Sequence, residues 1–220
     1  MLHVGIDPGL TGAICSIDSE TREIAFWDTP VLVVRSGKNF KNQQDFHACA
    51  AILRSLRDTD NQLLITIEKV APMPSVPTGN GEERRSMGAT SAFNFGMGFG
   101  MWIATCAALE IPYQLVHPAT WKAALMRDQG KEKDASRVKA MQLYPYTAKD
   151  LARKRDHARG DALLLAHYGL MFSSGARPEK VRRPVVERLP NDTPLLFGGS
   201  SVQLPKQRTV EEEDDGLAEF

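Results

Sequence analysis

The chain has 220 residues, enough for one full α/β domain with an appendage but not for two large ones. Its composition, 42% hydrophobic and 25% charged, is that of an ordinary globular protein and excludes a fibrous chain. Basic and acidic residues balance at 27 each, so net charge gives no support to a nucleic-acid partner, yet the charges are segregated: Lys and Arg crowd between Arg127 and Arg159, while Glu211 to Asp215 form an acidic run near the end.

Three β-like runs come first, His3 to Asp7, Gly12 to Asp18 and Glu23 to Asp28. Gly9 and Gly12 punctuate the first connection and Ser19 to Arg22 the second, which predicts an antiparallel meander. Within Gln43 to Arg57, the apolar residues Phe46, Ala50, Leu53 and Leu56 recur at a helical period. Leu63 to Val70 is a continuous aliphatic and β-branched run, the pattern of a central strand buried on both faces. A Pro/Gly-rich loop from Ala71 to about Gly88 leads into a small-residue helix from Ser91 to Leu109. Its segment Phe93 to Leu109 is apolar enough to raise the question of a membrane. It is short for a span and is interrupted by Asn94, Gly96, Gly98 and Gly100, so a buried helix is expected.

Tyr113 to Val116 reads as a short strand, and Pro118 opens a helix at its favoured first position. Further helical patterns cover Lys133 to Leu143 and a last helix from near His157 through Ala162, Leu163, Leu165, Ala166 and Leu170. Residues 173–220 are rich in Pro and charge without a sustained apolar pattern, so a disordered tail is expected to follow a domain at 1–172. The tail's acidic end reads either as a solubilising extension or as a DNA mimic folded over the basic surface. Cys15, Cys49 and Cys106 are widely spaced in apolar surroundings and read as small buried hydrophobes of a reducing compartment. No basic stretch followed by an apolar core opens the chain, so cytoplasmic localisation without a secretory signal is expected.

Three acids stand out from this background. Asp7 ends the first strand just before Pro8-Gly9, Glu68 is the one acid in Leu64-Ile65-Thr66-Ile67-Glu68, and Asp161 precedes Ala162-Leu163-Leu164-Leu165. Three carboxylates on three rigid elements can clamp Mg²⁺, which prefers oxygen ligands and keeps waters for a substrate phosphate. Two such ions, roughly 3.5–4 Å apart, would activate a water and stabilise the leaving oxygen of a phosphodiester. Plainer roles stand beside this one: Asp7 as a turn residue of Asp-Pro-Gly, and Asp161 as a first-turn partner of a helix dipole. Glu68 is harder to accommodate, because a charge in a buried strand is costly without a partner or cation.

The run Gly5-Ile6-Asp7-Pro8-Gly9-Leu10-Thr11-Gly12-Ala13-Ile14 resembles the opening strand and hairpin of RuvC-type Holliday junction resolvases, members of the ribonuclease H-like superfamily. Ile67-Glu68 is similar to that family's second acid, Pro118, Trp121 and Lys122 to its DNA-facing helix, and Asp161-Ala162-Leu163 to its terminal Asp-Ala-Leu. The phrases Phe95-Gly96 to Trp102, Trp121-Lys122, Lys133-Asp134-Ala135-Ser136 and Ala162 to Tyr168 look closer to the family's phage and chloroplast branch. The resemblance spans about residues 3–170. It implies a ribonuclease H-like α/β fold with a mixed five-stranded sheet flanked by helices. It further implies a homodimer that cuts opposing strands of a four-way DNA junction with two Mg²⁺ ions per active site, Mn²⁺ substituting.

Asp7, Glu68 and Asp161 would carry over as metal ligands. The family's fourth ligand, acidic or His, usually lies one helical turn before the last Asp, where this chain departs with Ala158. His157, on the same helical face at i−4, is the preferred substitute, with Asp156 the alternative; His157 equally reads as a cap or a phosphate contact. Lys122 and Lys133 are the candidates to offset charge at the scissile phosphate. Arg84, Arg85, Arg153, Lys154, Arg155 and Arg159 are candidates for backbone contacts along the junction arms. The bacterial relatives' stacking aromatic, three residues after the second acid, is replaced by Ala71, so base stacking must come from elsewhere or be weaker. Gly96, Gly98 and Gly100 suit a dimer interface and, equally, packing within one chain.

Three rivals remain. Asp-x-Gly with a following Thr and Gly also opens actin-like ATPases and sugar kinases, but no second phosphate loop or adenosine pocket is found, so no nucleotide cofactor is expected. A non-catalytic junction-binding protein shares the fold. A flap or fork nuclease shares the chemistry as well.

Overall fold

Pleat parity sorts the side chains before any tertiary contact is considered. In β1 (Leu2–Asp7), Leu2, Val4 and Ile6 enter one apolar cluster, so His3, Gly5 and Asp7 face the opposite side. In β6 (Leu63–Glu68), Leu63, Ile65 and Ile67 join the same cluster, leaving Leu64, Thr66 and Glu68 on the side of Asp7. The parallel register pairs Ile6 with Ile67, so the next residues, Asp7 and Glu68, stand side by side at the carboxyl ends of neighbouring strands.

The computed structural model describes residues 1–60, 62–71, 88–130 and 134–172. Arg84, Arg85, Lys133 and the tail expected at 173–220 lie outside them. The main sheet has five strands in the order β3-β2-β1-β6-β7, built also from β2 (Ala13–Asp18), β3 (Ile24–Asp28) and β7 (Tyr113–Val116). β1, β2 and β3 pair antiparallel, whereas β6 pairs parallel with both β1 and β7. This is the mixed five-stranded sheet, flanked by helices, expected from the sequence.

One face carries α1 (Phe46–Thr59) and α2 (Ala89–Ala108) over the cluster that holds Val4, Ile65, Leu53 and Trp102. The Asp45 carboxylate caps α1 by accepting from the Ala48 N–H at 3.0 Å. The other face carries α3 (Pro118–Leu125), α4 (Ala135–Leu143) and α5 (His157–Phe172) over Cys15, Trp121, Leu151 and the buried run Ala162 to Ala166. All three cysteines are buried and free, as expected. No helix among the described residues is long and apolar enough to cross a membrane.

Two features depart from expectation. A second sheet, β4 (Val31–Ser36) and β5 (Asn39–Gln44), forms an antiparallel hairpin that extends into Gln43 and Gln44, where helix was expected. And α2 is not a buried helix: only Gly98, Trp102 and Cys106 are buried, at i, i+4 and i+8, while Phe93 is 71% exposed and Met97 36%. The helix meets the sheet through that stripe, with Phe99, Met101 and Ile103 partly buried against the core, while Phe93 and Met97 face outward.

Candidate active site

Gly5 fixes how closely α5 lies on the sheet. A Cβ at that position would collide with the Ala162 carbonyl oxygen and the Ala166 nitrogen, so strand and helix meet backbone to backbone. Further along, Gly169 lies against Thr66, where a Cβ would stand 2.6 Å from Oγ1. Asp161 precedes Ala162 on this seated stretch. It is therefore carried to the Asp7 side of the sheet, where Asp7 and Glu68 already stand together. Because α5 begins at His157, Asp161 lies in its second turn and not its first. The dipole reading of this residue loses its footing.

The three carboxylates sense one another. Burial, then the Asp161 charge, raises the Asp7 pKa from its usual 3.8 to about 7, with Glu68 adding to the rise. The Gly9 N–H, donating to Asp7 Oδ1 at 3.2 Å, and the His157 ring oppose it. Burial also raises Glu68, helped by Asp161 and opposed by Trp121 and Lys122. Asp161 rises through burial, against the Ser136 hydroxyl, Lys122 and His157. Its Oδ1 is buried with no hydrogen-bond partner among the described residues, a costly state for an acid in a core. The acids are neighbours and not a closed ligand shell: among the described residues, no three His, Cys, Asp or Glu side chains form a group that could hold a metal ion as they stand.

The surrounding helices supply the counter-charges. Pro118 starts α3, and its buried Trp121 donates Nε1–H to Glu68 Oε1 at 3.0 Å. Lys122, exposed beside it, holds Nζ 5.0 Å from the Trp121 ring centre and draws the pKa values of Glu68 and Asp161 down. From α4, the buried Ser136 reaches Asp161. His157 lies close enough to act on Asp7 and Asp161, with Nδ1 3.1 Å from the Arg155 carbonyl oxygen.

Other expected site residues are engaged elsewhere. Asp156 is buried, with both oxygens on Arg153: Nη2 to Oδ1 at 2.7 Å, and the Arg153 backbone N–H to Oδ2 at 2.8 Å. This closes a capping box just ahead of α5 and turns Asp156 to a structural role instead of the fourth-ligand position. Arg159 forks onto Asp28 at 2.6 and 2.8 Å, tying α5 to the edge strand β3. Arg153 and Arg159 are thus ion-paired, whereas Lys154 and Arg155 are exposed. Trp121 and Ser136 act on the acids, a part that their sequence motifs do not assign them. A buried indole needs an acceptor for its N–H, which was the available signal for Trp121.

No family model and no curated protein matches the sequence. Among solved structures, the chain is similar to Thermus thermophilus RuvC in complex with a Holliday junction substrate, at 13% identity and a TM-score of 0.44, covering 76% of this chain and 92% of that one. It is also similar to the Thermus thermophilus RuvC structure, at 14% identity and a TM-score of 0.41, covering 76% and 93%.

Proposed function

We propose that this protein is a divalent-metal-dependent endonuclease that resolves four-way DNA junctions by paired, symmetric phosphodiester hydrolysis. The observation that carries the reading is the set Asp7, Glu68 and Asp161: three carboxylates from three elements, each raised in proton affinity by burial, one with a buried oxygen that no group among the described residues satisfies. Such a set is unstable as three bare charges and gains from a hard cation. Mg²⁺, with Mn²⁺ substituting and two ions per site, suits carboxylate donors; Asp7, Glu68 and Asp161 would hold it, with His157 as fourth ligand. When bound, it supplies an activated water and neutralises charge on the phosphate.

The chain's own residues do the remainder. Trp121 aims Glu68 and opposes the rise in its pKa that burial causes. Lys122 places a compact positive charge beside two of the acids, where phosphate charge would develop, and Lys133 is assigned the same duty. Lys154 and Arg155, with Arg84 and Arg85, would follow the phosphate backbone. Four-way DNA as substrate, and the affinity with the phage and chloroplast branch, rest on the ordered motifs from Asp7-Pro8-Gly9 to Asp161-Ala162-Leu163. A homodimer would place two such sites on opposing strands. The outward surface of α2 supports that pairing: Gly96 and Gly100 face open space beside the exposed Phe93 and Met97. Flap or fork cleavage by the same acids is the second reading.

The test is incubation of a synthetic four-way junction with protein and Mg²⁺, beside duplex, flap and fork controls and an Asp7→Asn protein. Symmetric nicks confined to the junction, lost in Asp7→Asn while binding persists, are expected. Equal cutting of flaps and forks would leave the nuclease and remove the junction specificity. Tight binding with no cutting in Mg²⁺ or Mn²⁺ would make the protein a non-catalytic binder.

A further inference from the structure

A pocket of about 540 Å³ opens between the β4–β5 hairpin, the loop after Asp7 and the first turns of α2. Its volume lies in the range of small-ligand sites, roughly 300–1,000 Å³. Pro8, the residue after Asp7, forms part of the wall, and none of Asp7, Glu68 and Asp161 lines it, so the pocket is separate from the carboxylates. Gly98 lets α2 close on this corner: a Cβ there would collide with Gln44 Oε1 and lie 3.8 Å from the Pro8 carbonyl oxygen.

The lining chemistry is selective. Arg35 and Lys41 lie on the hairpin side, and among the described residues neither forms a salt bridge and no Asp or Glu lines the pocket. In a chain of zero net charge, that local excess favours an anion. Phe46 and Phe95, both half-buried, supply aromatic wall, and Asn42, Gln43 and Asn94 supply exposed amides that both donate and accept. Gln44 also lines the pocket and is 7% exposed. Flat apolar walls, mixed donor and acceptor edges and two unpaired cations match a nucleotide: ring faces, base edge and phosphate.

We infer that this pocket receives one unstacked nucleotide of the branched DNA, holding its base between hairpin and helix while the neighbouring phosphate is presented to the acids. The inference rests on the proposed nuclease reading and names what that site grips. It also answers the loss of an aromatic at Ala71, because the stacking surface moves to Phe46 and Phe95. The hairpin that carries half of the pocket extends further apolar and basic surface outward, with Val33 68% exposed and Phe40 71%. That surface suits contact with bases at an opened branch point.

The experiment uses Asp7→Asn protein with Mg²⁺, so that DNA stays intact, and a four-way junction carrying 2-aminopurine at each position around the branch point in turn. Binding is expected to brighten one position several-fold. Adding Lys41→Ala and Asn94→Ala, both at exposed positions and so harmless to folding, should abolish that rise and weaken junction binding about tenfold, the scale of losing one stacked base. Superimposable thermal melts of the variants exclude misfolding. Tight junction binding with no brightened position, or brightening unchanged in the triple variant, would overturn the pocket while leaving the nuclease reading intact. Binding of free deoxynucleoside monophosphates without an unstacked junction position would overturn it in favour of a mononucleotide site. Failure to bind any branched DNA would remove both readings together.

Discussion

Replacing Asp7 by Asn should make the folded protein more stable in the absence of divalent ions, even as it abolishes cutting. The folded state keeps the Asp7 proton up to about pH 7, whereas the unfolded chain releases it near 3.8. Between those values the native state binds more protons, so stability falls as pH rises from about 4 to 7 and then levels off. A shift of about three units corresponds to about 4 kcal/mol at 1.36 kcal/mol per unit. Partial solvation of the carboxylate, and the sharing of its strain with Asp161 and Glu68, leave about 2 kcal/mol for Asn to recover. For a domain of this size that is about 4–8 °C in Tm. Thermal melts in EDTA should therefore show Asp7→Asn above wild type at pH 8 and level with it near pH 4. Saturating Mg²⁺ should then lift wild type, by about 2.7 kcal/mol at a hundredfold excess over Kd, and lift Asp7→Asn far less. An Asn variant that melts below wild type at pH 8 in EDTA, or a gap that does not change with pH, would refute the electrostatic account of the site.

Four further outcomes follow from the same geometry. Trp121→Phe removes the donor that lowers the Glu68 pKa, so the acidic limb of the pH–rate profile should move to higher pH, with cleavage at pH 7 down about tenfold. Arg159→Ala breaks the fork onto Asp28, whose carboxylate is well exposed; melts should show a loss of about 1 kcal/mol or less, and DNA titrations no change beyond about twofold. Lys122→Ala should do the opposite, with an unchanged Tm and cleavage lowered at least about tenfold in single-turnover assays. Gly5→Ala should yield insoluble or unfolded protein by circular dichroism, because strand and helix backbones occupy the space a methyl group needs.

Much of the site was legible because a strand has period two. An acid at the end of one apolar run and another at the end of a parallel neighbour fall on one face once the register is known. The hairpin of Val31–Ser36 and Asn39–Gln44 was not legible. Its second strand is almost wholly polar, since it covers no core, and its turn depends on Gly37 at φ 63°, which composition does not announce. The exposure of α2 was hidden for a related reason: an apolar helix records what could be covered, not what covers it. Asp156 was within reach, because an Arg three residues before an Asp is a local pair that competes with any distant role.

The contact at Gly5 also bears on how the protein would fail under heat. Side chains packed between two elements act as a compliant gasket whose rotamers loosen before the structure opens. No such layer separates β1 from α5 at this point, so the spacing of Asp7 and Asp161 has little play in it. Metal affinity and cutting should then hold nearly constant with warming and vanish together with the fold, instead of fading through a softened intermediate several degrees earlier.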